Sequence, residues 1–223
     1  MKTQKMYEQS DKLINIIHDN YNILQSLGSF GLSLGFGDKT VQEVCEEQHV
    51  DTYTFLAVVN FTINGYIERD HVDRLSLPTL LHYLKASHQY YLGFLLPAIR
   101  NGLTKALDTN DRLACLILKF FDDYAHSISR HMRYEEKTVF PYVTSLLEGS
   151  PIGNYNFDTF SKHHQQIDSK LRELKNIIIK YLPADSHRSN QLGATLYNIY
   201  NCETWLGQHA KVEDQIFAPA VRF

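Results

Sequence analysis

His131-Met132-Arg133-Tyr134-Glu135 and His209-Ala210-Lys211-Val212-Glu213 are one five-residue pattern written twice, and that duplication decides how the chain is read. In a helix, positions i and i+4 stack one turn apart on the same face, so each copy aims an imidazole and a carboxylate at one point. Each copy also follows another histidine at a nearly equal interval: His88 precedes His131 by 43 residues, and His164 precedes His209 by 45. A single HisxxxGlu is more often a surface pair than a ligand pair. Two copies at matched spacing, each followed by an apolar-proline stop (Phe140-Pro141 and Phe217-Ala218-Pro219), reverse that balance. Four histidines and two glutamates converging in a helical bundle are the ligand set of a carboxylate-bridged pair of metal ions.

Four long amphipathic segments carry these residues, at 78–107, 110–148, 156–182 and 186–218. They are separated by Asp108-Thr109-Asn110, by Gly149 to Asn154 and by Pro183-Ala184-Asp185, and such short connectors imply antiparallel neighbours. The expected fold is therefore all-α, an up-down four-helix bundle over residues 78–223 in which every helix supplies the site. Pro97 should kink the first of these helices or shift its boundary. Upstream lies a small helical unit, residues 1–64, with helices expected over 7–25, 39–48 and 51–61, the last capped by Asp51. Four glycines in ten residues (Gly28, Gly31, Gly35, Gly37) mark a turn or loop inside it. Residues 65–77 read as a linker. Charge supports the division, since residues 1–77 carry 6 Lys+Arg against 11 Asp+Glu, and residues 78–223 carry 16 against 14.

Composition narrows the function. A net charge of −3 over 223 residues leaves no basic footprint for nucleic acid. Nowhere does the chain approach the roughly 20 consecutive apolar residues of a membrane helix, and its first residues lack an apolar export signal. Cys45, Cys115 and Cys202 are an odd number without CxxC spacing, which argues against a disulfide framework or a thiolate site and fits a reducing cytoplasm. The N-terminal unit could pack against its own bundle or against a second chain in a homodimer, and no residue pattern decides between them.

Imidazole nitrogens and carboxylate oxygens suit iron, manganese or zinc, with two iron ions as the leading expectation. Two irons bring four to six positive charges against the two negative charges of Glu135 and Glu213. An oxo or hydroxo bridge would reduce that imbalance, and both glutamates are assigned as bridges. This leaves about one coordination position open for a small ligand. His82 competes with His88 for the first helix, but six residues turn a helix by about 240°, so one of the two faces inward; the matched interval selects His88. His164 shares a stripe with Ile167, Leu171 and Leu174, which selects it over His163. The other histidines, His18, His49, His71, His126 and His187, read as solvated or hydrogen-bonding residues. Tyr91 or Tyr134 could line the site, although tyrosines mostly serve packing.

These residues carry a resemblance over nearly the whole chain. His131 to Pro141 (HMRYEEKTVFP) resembles the HxxxEExxxFP block of the hemerythrin-like proteins, HHQQI supplies a third-helix histidine as His164, and HAKVEDQIFAP supplies the last pair. Among them the chain looks most like the di-iron iron–sulfur cluster repair proteins, also called repair of iron centres proteins. Their short N-terminal domain resembles the stretch SFGLSLGFGDKTVQEVCEE but commonly carries a Cys-Cys pair where this chain has Gly35-Phe36. The resemblance implies a cytoplasmic non-haem di-iron protein that helps restore iron–sulfur clusters damaged by nitric oxide or oxidants. Its partners would be the damaged iron–sulfur proteins, and its small ligands nitric oxide, oxygen or peroxide. The alternative is a module that binds or senses oxygen or nitric oxide without turnover.

Overall fold

A computed structural model describes residues 5–65, 69–150, 155, 168–182 and 189–222. The chain is all-α; among the described residues, β pairing is confined to one isolated bridge, Lys12 to Thr40. It divides into two compact units, Met1–Ser87 with Gln208–Phe223, and His88–Gly207.

The first unit opens with α1 (Leu13–Asp19) and α2 (Ile23–Ser29) where the apolar spacing predicts one helix over 7–25. The periodicity does run through both. The break is local: Asn20 turns extended, and its side-chain oxygen accepts the amide of Asn22, an Asx turn that competes with helical hydrogen bonding. α3 (Val41–Glu47) starts at a capping box, Thr40 accepting from the Glu43 amide while the Glu43 carboxylate accepts from the Thr40 amide. α4 (Thr52–Asn64) is capped by Asp51, which accepts from the Thr54 amide at 2.8 Å, as the sequence predicts. It ends at Gly65, whose φ of 71° supplies the left-handed turn that lets its amide return to Phe61. Residues 65–77, read as a linker, contain a 3₁₀ turn over Arg69–Arg74. Ser76 then donates its amide to the buried Thr54 hydroxyl, and α5 (Leu77–Tyr90) begins.

α5 passes through a π turn at Tyr91–Leu95 into α6 (Leu96–Ala106). The same succession recurs twice: α7 (Arg112–Tyr134), a π turn at Glu135–Val139 and α8 (Phe140–Leu147); then α10 (Ser189–Val212), a π turn at Glu213–Phe217 and α11 (Ala218–Val221). α9 (Asp168–Tyr181) lies between them in the chain. Proline explains the repetition. Pro97, Pro141 and Pro219 each occupy the first turn of the segment after a π turn. A proline ring in an uninterrupted α-helix would meet the carbonyl four residues back and leave it without a donor. Widening the preceding turn by one residue restarts the helix there, and a proline is tolerated in a first turn. The amides of Leu96, Phe140 and Ala218 accordingly reach back five residues, to Tyr91, Glu135 and Glu213. Pro97 thus shifts the helical register rather than ending the helix.

In the second unit, α6, α7, α9 and α10 share one apolar core that includes Ile99, Leu103, Ile117, Phe121, Leu174 and Ile199. α6 and α10 come close at Gly102, where an added Cβ would lie 2.6 Å from Oγ1 of Thr195. Lys175 of α9 is buried, paired with Glu203 of α10 and set 4.0 Å over the ring of Tyr200. Among the described residues, no helix is long and apolar enough to cross a membrane.

Candidate metal centre

In the second unit, α5 brings His88 to full burial near its C-terminus, and the π turn after α7 opens with Glu135, also fully buried. The two Glu135 oxygens face two different imidazoles: Oε1 lies 3.2 Å from Nε2 of His131, and Oε2 lies 3.4 Å from Nε2 of His88. His131 sits one turn before Glu135 and keeps about 15% of its side chain exposed. The other nitrogen of His88, Nδ1, lies 3.2 Å from Oε1 of Glu136, and its ring stacks on Phe140 at 5.4 Å.

In the first unit the C-terminal copy of the pattern repeats this local geometry. His209 lies in the last turn of α10, Glu213 opens the following π turn, and Nε2 of His209 lies 3.1 Å from Oε1 of Glu213. Both residues are buried. Tyr83 of α5 is buried in the same unit; burial pushes its phenol up to about 12, the negative charge of Glu213 adds to the rise, and a hydrogen bond with Ser26 works against it.

The donor chemistry fits a cation. A carboxylate buried without compensating charge is costly, whereas neutral imidazoles and carboxylates together form a ligand set for iron, manganese or zinc. His88, His131 and Glu135 of the second unit, and His209 and Glu213 of the first, each offer a donor atom of that kind. A carboxylate whose two oxygens address separate imidazoles has the form of a bridging ligand.

Sequence reading assigns six residues, of which these five lie in described helical segments, His131–Glu135 and His209–Glu213 being the two i, i+4 pairs. The sixth, His164, lies outside the described residues, as do His163 and His187. His82 is exposed, its Nε2 3.4 Å from where a Cβ on Gly31 would lie, while His88 is buried. His18, His49 and His126 are exposed. Of the two tyrosines considered, Tyr91 is buried in the core and Tyr134 is 38% exposed. Sequence reasoning misses Glu136 and Tyr83. The acidic doublet was visible, since both copies place an acid after the ligand glutamate (Glu135-Glu136 and Glu213-Asp214). Nothing in the sequence marks Tyr83.

Residues 79–221 match the hemerythrin HHE cation binding domain. No curated protein and no solved structure gives a significant match.

Proposed function

The chain belongs to the hemerythrin HHE cation-binding family, and from that premise we propose that His88, His131, Glu135, His164, His209 and Glu213 hold a pair of iron ions serving the repair of iron–sulfur clusters damaged by nitric oxide or oxidants. Repair would proceed by supplying iron to the damaged protein or by consuming the damaging species. The observation that carries the reading is Glu135, a fully buried carboxylate whose two oxygens each face a histidine Nε2.

Bound iron would supply a redox-active Lewis acid able to take up nitric oxide, oxygen or peroxide. The chain's own contribution is to hold that acid dry and reachable. His88, Glu135, His209 and Glu213 are buried, which limits competition from water, while partly exposed His131 gives a small molecule or an iron acceptor a point of approach. A cytoplasmic setting and damaged iron–sulfur proteins as clients go with this reading.

Metal analysis joined to an optical spectrum tests the centre: two irons per chain with the absorption of a bridged diferric pair are expected, and a stoichiometric zinc site or a metal-free protein would overturn it. Repair is tested by anaerobic incubation of the di-iron form with a nitric-oxide-damaged iron–sulfur enzyme. Recovery beyond that given by free ferrous iron supports it, and recovery no greater removes it. One observation favours the second reading, reversible binding or sensing of oxygen or nitric oxide: Gly35-Phe36 stands where the resembled proteins carry two thiols, so this chain brings no vicinal thiols at that point. A reversible adduct without product in stopped-flow spectra would select sensing.

A further inference from the structure

We propose that Glu136 is the positioning residue for His88, holding its proton on Nδ1 so that Nε2 is presented as an electron-pair donor; this rests on the reading of the site as a metal centre. Three observations converge. Nδ1 of His88 lies 3.2 Å from Oε1 of Glu136, and an ionised carboxylate only accepts, so this contact assigns a proton to Nδ1. In the neutral ring with its proton there, Nε2 turns a lone pair toward Oε2 of Glu135 at 3.4 Å, an arrangement a cation between them makes favourable. The ring is fully buried and stacked on Phe140, so turning it over to exchange the two nitrogens would cost that packing.

The two adjacent glutamates thus divide the work. Both are delivered by one π turn, Glu135 at its buried start and Glu136 with 39% of its side chain exposed. Successive helical residues point about 100° apart, so adjacent carboxylates can address opposite edges of a single imidazole only where that ring stands beside the turn. A histidine ligand whose remote N–H is held by a carboxylate is both oriented and made more basic.

The test compares E136Q, E136A and the unchanged protein, each loaded with ferrous iron for release to a chelator and with zinc for nitrogen-15 NMR of the histidine rings. E136A should release iron about 10 to 100 times faster, the range for loss of such a partner. E136Q, whose amide oxygen still accepts, should stay within a few-fold of the unchanged protein. In the zinc form, the His88 Nδ1–H resonance should move in E136A and be restored in E136Q, a response that general loosening of the fold does not produce. Glu136 is partly exposed, so all three proteins should show the same helical circular dichroism. Equal release rates and an unmoved resonance in E136A would overturn the proposal while leaving the metal centre standing. An unchanged protein that binds neither metal would overturn the metal reading, and this inference with it.

Discussion

At the scale of single residues, bridging and burial make opposite demands that only charge can reconcile. On the proposed reading, Glu135→Ala or Glu213→Ala removes a buried carboxylate and would leave a bound pair of cations with less compensation, so each variant should fail to hold two metal ions. Metal per chain measured after gel filtration checks this, and two irons retained in either variant would contradict the bridging role. His82→Ala should keep full metal content, since that ring is exposed against Gly31. Cysteine chemistry gives a pH prediction. Burial pushes the Cys45 and Cys202 thiols up to about 12, whereas Cys115 is exposed with its thiol on the Thr109 carbonyl. A thiol reagent at neutral pH should therefore label one cysteine quickly and the other two only on unfolding, as mass spectrometry of the intact chain would show. Because the folded state holds these two protons to higher pH than the unfolded chain, they leave stability unchanged in the acid and neutral range and erode it from about pH 9 to 12. The repeat of HisxxxGlu was legible at this scale because one turn of helix fixes which residues share a face. The contact of Glu136 was not, because whether a neighbouring acid reaches a ligand ring depends on the adjacent helix.

At the scale of elements, the sequence shows where helices start more clearly than how they turn. Asp51 and Thr40 are short polar residues at the head of apolar runs, and both cap as their chemistry requires. Asp51→Ala should cost about 1 kcal/mol, read as a lower denaturation midpoint at unchanged slope. The π turns were not legible as such, since apolar spacing cannot count one extra residue in a turn; the prolines announce a disturbance without its form. Pro141→Ala restores a backbone donor and relieves the steric demand for the wide turn at Glu135–Val139. Helical circular dichroism should be kept or rise slightly, while iron retention should fall, because a turn returning to α spacing changes the register between α8 and the end of α7 that carries His131 and Glu135, and with it the aim of Glu135 at His88. Full retention of metal in that variant would show that the wide turn is not what aims the carboxylate. The split of residues 7–25 was missed for the opposite reason: an Asx turn at Asn20 leaves the apolar periodicity intact while breaking the helix.

At the scale of the whole molecule, the described donors belong to both compact units: His88, His131 and Glu135 to one, His209 and Glu213 to the other. A ligand that binds the folded form alone stabilises it by mass action, about 2.7 kcal/mol at a free concentration 100 times its dissociation constant. Chelation should therefore lower the unfolding temperature in calorimetry, and the loaded protein should melt in a sharper transition than the stripped one. Equal curves would mean that the metal contributes nothing to folding. The four-helix plan was legible here because each long segment carried both an apolar stripe and a donor, whereas the division at Ser87 and Gly207 was not, since each cut falls inside a helix. The meeting of Gly102 with Thr195 has its own corollary. Fourteen residues, about four turns, separate Gly102 from His88 along the rod formed by α5 and α6. The missing methyl works as a shim of zero thickness at a fulcrum, so thickening it by one carbon would swing the far arm, and with it a donor, altering the grip on the ion without touching any ligand.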